Sequence, residues 1–142
     1  MASYEIEIYV RFSETDAAGH VNNVSYFLYF EEARTKFFQE ICPKRNNSIN
    51  FILASISCDY ITQAYAGQKL KLLTDVEKIG RKSFTVKHTL VNPKTFKIVA
   101  KSHAVTVCFN YEEQKTIKVP DEIRSRMEKY LVVTNKESEF SQ

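Results

Sequence analysis

The stretch Arg11–Arg34, RFSETDAAGHVNNVSYFLYFEEAR, decides the reading of this chain. It begins extended and passes through a tight polar turn that holds Asp16, Gly19, His20, Asn22 and Asn23. It then enters a long aromatic-rich helix with no further loop. Asn22 or Asn23 is the expected N-cap, because an asparagine there accepts a hydrogen bond from first-turn amides. This order places one carboxylate beside the amino-terminal end of a helix, where unpaired N–H groups and the helix dipole favour negative charge. From Val24 to about Glu40, Tyr26, Phe30, Ala33 and Phe37 recur at helical spacing, while Phe27, Leu28 and Tyr29 make the first half apolar nearly all round. Such a helix is expected to be buried over most of its surface.

On either side of this stretch the period changes from helical to alternating. Tyr4 to Phe12 alternates and is rich in β-formers, which predicts a first strand. Cys42-Pro43 stops the helix, and Lys44 to Asn50 is a polar connection. Four strands are then expected: Phe51 to Tyr65, Lys69 to Ile79, Ser83 to Val91 and Phe96 to Tyr111. Gly80-Arg81-Lys82 and Asn92-Pro93-Lys94 serve as turns between them. The last strand has one face of small residues (Ala100, Ser102, Ala104, Thr106, Cys108) that lets a helix approach closely. Pro120 opens a short final helix with Ile123, Met127, Tyr130 and Leu131 as its apolar stripe. Strands in succession without helices between them imply an antiparallel sheet and an α+β domain. Residues 1–133 read as one domain, and the polar residues 134–142 as a loose tail.

Composition fits this picture and narrows the function classes. The 142 residues are 44% hydrophobic and 26% charged, enough for one packed core without disulfides or metal. A net charge of +3 is too mild for a nucleic-acid binder, though compatible with a small phosphorylated ligand. Cys42, Cys58 and Cys108 are widely spaced and form no CxxC pair, so they read as reduced thiols in a cytoplasmic protein. No apolar run approaches the roughly 20 residues of a membrane span. The start, MASYEIEIYV, alternates like a strand and lacks signal-peptide features. GxSxG, Walker A, GxGxxG and HExxH motifs and zinc spacings are all absent from the sequence. His88 and His103 stand alone on strands and read as structural.

The segment ETDAAGHVNN followed by the aromatic helix closely resembles the active-site segment of hotdog-fold acyl-CoA thioesterases, in the 4-hydroxybenzoyl-CoA thioesterase and YbgC-like group. The resemblance extends over almost the whole chain. It implies the hotdog fold, a long central helix wrapped by a curved antiparallel sheet. It also implies hydrolysis of an acyl-CoA to free acid and CoA, with no metal and no cofactor beyond the substrate's own carrier. Homodimers or homotetramers are expected, because hotdog protomers pair by joining sheets and their sites usually sit between subunits.

In that family the aspartate matching Asp16 is catalytic, as general base towards water or as nucleophile. On turn chemistry alone Asp16 also reads as an Asx-turn residue. Glu14 shares its side of an extended stretch and reads as supporting. The resemblance further implies that backbone N–H groups of Gly19, His20 and Val21 polarise the thioester carbonyl, and a positive-φ turn at Gly19 is compatible with that. His20 is a wall residue or orients water. Asn23 either contacts water or the carbonyl, or merely caps the helix. Tyr26 and Tyr60 are candidate walls of the acyl tunnel. Arg81, Lys82 and Ser83 match a link near the pantetheine and nucleotide arm, against a plain reading as a solvated turn. Glu31 and Arg34 are spaced to pair on one helix face, which reads as a structural ion pair. A second branch of hotdog thioesterases carries a glutamate nucleophile at a different position of this helix, and that resemblance makes Glu31 a weak alternative nucleophile.

One departure bears on the substrate. YbgC-type enzymes tend to carry Tyr-His where this chain has Asn22-Asn23, and a valine at the position of His20. The HVNN form is similar to the acyl-ACP thioesterase side of the superfamily. An acyl-ACP thioesterase and a non-catalytic acyl-CoA-binding module are therefore the alternatives.

Overall fold

The computed structural model describes residues 3–44 and 48–132. The tail expected over 134–142 lies outside them. The elements in order are β1 (Tyr4–Tyr9), a 3₁₀ turn (Phe12–Glu14), α1 (Asn23–Ile41), β2 (Asn50–Tyr60), β3 (Lys69–Ile79), β4 (Ser83–Val91), β5 (Ile98–Asn110), β6 (Lys115–Thr116), α2 (Asp121–Met127) and a closing 3₁₀ turn (Glu128–Tyr130). The strands form one antiparallel sheet in the order β1-β3-β4-β5-β2, with the short β6 beside β5. The α+β reading and the antiparallel sheet hold.

α1 is anchored along one side. Tyr26, Tyr29, Phe30, Ala33, Phe37 and Ile41 are buried, and the small-residue face of β5 (Ala100, Ser102, Ala104, Thr106, Cys108) is fully buried too. Each large apolar side chain enclosed in this way stabilises the fold by roughly 1.5–3 kcal/mol. The expectation of burial over most of the helix surface is corrected: Val24 is 70% exposed, Leu28 52%, and Phe27 also reaches solvent. The sheet takes up only one flank of the helix. Register shifts at Leu53/Ser55, Val76/Lys78 and Leu90/Val91 put extra residues into the ladders, which bends and twists the strands.

Three expected strands prove shorter than their sequence patterns. β1 ends at Tyr9 and β2 at Tyr60. β5 starts only at Ile98, because Phe96 turns left-handed with φ 62°. β6 and the 3₁₀ turn at Phe12–Glu14 carry no periodic signal and were not expected, and the expected final helix tightens into a 3₁₀ turn over Glu128–Tyr130.

The register gives the sheet two distinct ends. Tyr9, Tyr60, Lys69, Val91 and Ile98 lie at the end where α1 begins; Asn50, Ile79, Ser83 and Asn110 lie where α1 finishes. With 19 residues, α1 separates the two ends by about 28 Å. At the second end α2 closes the core, where Phe37, Ile41, Val76, Phe84, Val119, Ile123 and Met127 are buried together.

Candidate active site

The loop from Thr15 to Val21 is closed by backbone pairing. Thr15 bridges to Val21, and His20 bridges outward to Tyr65. The Asp16 N–H donates to the His20 carbonyl (2.7 Å), and Gly19 turns with φ 82°, a conformation that side chains resist. One Asp16 oxygen, Oδ1, accepts from the Ala18 N–H (2.9 Å) and the His20 N–H (3.2 Å). The other has no partner among the described residues, and Asp16 is exposed. The carboxylate is therefore held by one oxygen and offered by the other.

Glu14 is committed elsewhere. Its Oε1 accepts from the Arg11 N–H (2.8 Å) and the Tyr29 hydroxyl (2.9 Å). Burial, and then this bond to Glu14, raise the Tyr29 phenol above its usual range. The supporting reading of Glu14 fits these contacts.

The two asparagines divide their work. Asn22 is the N-cap, with its side chain accepting from the Ser25 N–H at 2.9 Å. Asn23 is the first helical residue, exposed, and its side chain makes no hydrogen bond among the described residues.

The expected oxyanion donors look different in three dimensions. The Gly19 N–H donates to the Asp16 carbonyl (3.0 Å), that of His20 to Asp16 Oδ1, and that of Val21 to the Ala64 carbonyl (2.9 Å). All three amides already have acceptors within the protomer. The N–H groups of Asn23 and Val24, by contrast, begin α1 and have no acceptor among the described residues, as expected for the first turn of a helix. The sequence signal for them was the capping asparagine, which fixes where the unpaired amides start.

Tyr26 and Tyr60 do come together at this end, with ring centroids 5.2 Å apart. The Tyr60 hydroxyl donates to the Asn23 carbonyl at 3.4 Å, and burial raises the Tyr26 phenol. His20 packs edge-on against Tyr65 at 4.9 Å, so its ring is a wall. Asp16, Gly19, His20, Val21, Asn23, Tyr26 and Tyr60 thus share the end of the sheet where α1 begins.

Arg81, Lys82 and Ser83 do not. The Val119 N–H donates to the Arg81 carbonyl (2.8 Å) and the Cys108 N–H to the Lys82 carbonyl (3.0 Å), which ties this turn to the end closed by α2. Within one protomer they stand the length of α1 away from Asp16. The expected Glu31–Arg34 ion pair is also corrected. Glu31 is exposed and makes no ion pair among the described residues, while Arg34 is buried with its Nη1 unpartnered. Burial lowers the Arg34 guanidinium from its ordinary value, and the Glu31 charge opposes this from beyond ion-pair distance.

Comparison with known proteins places this architecture. The family model for the Thioesterase-like superfamily matches residues 10–127. The chain belongs to that superfamily. The uncharacterized protein YsmA of Bacillus subtilis is 36% identical over 85 residues, 59% of this chain and 58% of that one. The acyl-CoA thioesterase YbgC of Helicobacter pylori is 35% identical over 79 residues, 54% of this chain and 58% of that one. Each match thus spans little more than half the length of these relatives. A solved structure described as a predicted thioesterase from Bacillus stearothermophilus superposes with a TM-score of 0.85 at 28% identity, covering 94% of this chain and all of the other.

Proposed function

We propose that the protein is a hotdog-fold acyl-CoA thioesterase, with α1 as the central helix wrapped by the curved sheet. One observation carries the reading: a carboxylate anchored by Oδ1, with its second oxygen open, on the loop that leads into the two unpartnered N–H groups of α1. Asp16 takes a proton from water as the oxygen adds to the thioester carbonyl. The resulting oxyanion is received by the Asn23 and Val24 N–H groups and the positive end of the helix. Collapse breaks the C–S bond, and the departing thiolate recovers the proton from Asp16. Direct attack by Asp16 to give a mixed anhydride uses the same groups, with water then releasing the acid. Tyr26 and Tyr60 flank the acyl group, and the fold of the Gly19–Val21 backbone holds the carboxylate in place.

The site is completed by a second protomer. β2 is an edge strand of 11 residues, with Leu53 and Tyr60 exposed and Asp59 its only charged residue. Such an edge is a template for strand pairing. Antiparallel pairing of two β2 edges sets the Ser83 end of one copy beside the Asp16 end of the other. Arg81, Lys82 and Ser83 then reach the mouth of the neighbour's site. We take the dimer to be the working unit in the cytoplasm.

Thiol release from short, medium, long and aromatic acyl-CoAs tests the reaction. Asp16→Asn is expected to lower kcat at least a hundredfold with substrate binding retained. No release from any acyl-CoA by the native protein would sink the proposal. Release from an acyl-ACP alone would favour the carrier-protein alternative, whose motif signal is HVNN.

A further inference from the structure

The β4–β5 hairpin lies at the same end of the sheet as Asp16, and its tip is unusual. The Phe96 N–H donates to the Asn92 carbonyl (2.8 Å) and the Asn92 N–H to the Lys97 carbonyl (2.9 Å), which puts Phe96 in the left-handed position where hairpins of this length normally use glycine. A bulky side chain is strained there. Nothing in the packing offsets that strain, because Phe96 is 86% exposed.

Two clefts meet below this tip. One, of about 470 Å³, is lined by Gly67, Gln68, Lys69, Asn92 and Lys94. The other, of about 300 Å³, shares Gln68 and Asn92 with it and adds Tyr65 and Lys97. Among the described residues, no acidic side chain lines either cleft. Lys69, Lys94 and Lys97 are exposed and make no ion pair among the described residues. The second cleft borders the Asp16 loop, since its Tyr65 packs on His20, whose N–H holds Asp16. An aromatic face in solvent and three ammonium groups beside that loop are what a phosphorylated purine nucleotide needs.

We propose that Phe96 and this double cleft bind the phosphorylated adenosine end of coenzyme A, with the adenine stacked on Phe96 and the phosphates on Lys69, Lys94 and Lys97. The proposal rests on the acyl-CoA reading, and it assigns the nucleotide to the protomer that supplies Asp16. Arg81 and Lys82 of a second copy are left beside the pantetheine arm.

Calorimetric titration of the full chain with free CoA and with adenosine 3′,5′-bisphosphate tests it without requiring turnover. Phe96→Ala, and separately Lys94→Ala with Lys97→Ala, are expected to weaken both ligands about tenfold. They should raise KM for acyl-CoA by a similar factor, leaving kcat and the hydrolysis of S-acyl pantetheine unchanged. Phe96→Gly is the sharpest variant. It should lift Tm by a few degrees by relieving the left-handed residue, and still lose nucleotide affinity, which a purely structural residue would not do. CoA affinity that is indifferent to Phe96→Ala, or that falls with Lys82→Ala alone, overturns the proposal. So does a Phe96→Ala effect confined to anionic vesicles or to an acidic carrier protein. Should the protein hydrolyse no acyl-CoA yet bind CoA through Phe96, the reaction fails and the site stands. Hydrolysis insensitive to Phe96 gives the reverse.

Discussion

At the end of the sheet where β3 turns into β4, the chain seals itself. α2 and the turn after it cover Phe37, Phe84 and Val119; Leu131 bridges to Val76; and the Arg124 guanidinium donates to the Gly80 carbonyl at 2.7 Å. At the other end, where α1 begins, Phe12, Val24, Leu28, Tyr60, Ile61 and Tyr65 remain exposed around a carboxylate with one oxygen and two amides that have no partner among the described residues. Both ends hold a buried cluster, and the difference lies at the rim: it is covered by α2 where no chemistry is proposed and left exposed where the chemistry would occur. The comparison teaches that stability and activity should separate along α1, so changes at one end should leave the property of the other nearly untouched.

The largest effect should come from the sealed end. Phe37 is fully buried, with Tyr4 and Tyr130 against its ring at 5.8 and 5.3 Å. Phe37→Ala is expected to cost about 3–5 kcal/mol of stability, read by urea denaturation. Activity per folded molecule should not change, and a large loss of kcat in the folded fraction would break the separation. The next effect lies at the open end. Asn23 is the first residue of α1, where proline is well tolerated because its missing N–H has no helical partner, and Asn22 before it is already extended (φ −78°, ψ 159°). Asn23→Pro deletes one amide donor and little else. Thiol release should drop by about two to three orders of magnitude with an unaltered Tm. Full activity in this variant would move the oxyanion away from α1.

Much of this division could be read in advance, and the part that could not has a common cause. Alternation and helical spacing located the long helix and most strands, because each is a local pattern set by which face is buried. The segment ETDAAGHVNN pointed to the carboxylate through its family resemblance and to the cap through the chemistry of asparagine at a helix start. The fate of the Val21 amide was hidden, since its acceptor is the carbonyl of Ala64, far along the chain, whereas the Gly19 and His20 amides are spent locally on Asp16. The placement of Arg81–Ser83 at the opposite end from Asp16 follows from sheet register, which no single strand encodes. The break before β5 depends on a left-handed Phe96, a conformation that the residue type argues against.

Between the two ends lies a buried polar row. His88 pairs across the sheet with Thr74 and Ser102, stacks on Phe30 at 5.6 Å, and shares its Nδ1 with the Thr74 hydroxyl at 2.9 Å. Burial first, then the Arg34 and His103 charges, hold its imidazole down at about 3. The folded protein keeps His88 neutral, whereas the unfolded chain takes up a proton below the ordinary value of 6.5. This contribution is therefore intact above pH 6.5 and is lost as the pH falls from there towards 3, by about 1.4 kcal/mol per unit. Urea midpoints at pH 7.5 and pH 5 should show it, and His88→Gln should remove that share of the slope. An unchanged slope in the variant would place the acid sensitivity elsewhere.

The smallest expected effect separates the two asparagines themselves. Asn22 spends its side chain on the Ser25 N–H, so Asn22→Ala should cost about 1 kcal/mol of stability. The free amides of Asn23 and Val24 stay in place in that variant, so kcat in the folded protein should hold within a few fold. Asn23→Ala is the converse control. Its side chain holds nothing among the described residues and its N–H survives the change, so Tm should not move. A kcat that nevertheless fell tenfold or more in Asn23→Ala would give the side chain, rather than the amide alone, a contact with water or the thioester. The cap would then be one residue earlier than the chemistry, and adjacent positions of one helix start would carry the same separation that the two ends of the sheet show.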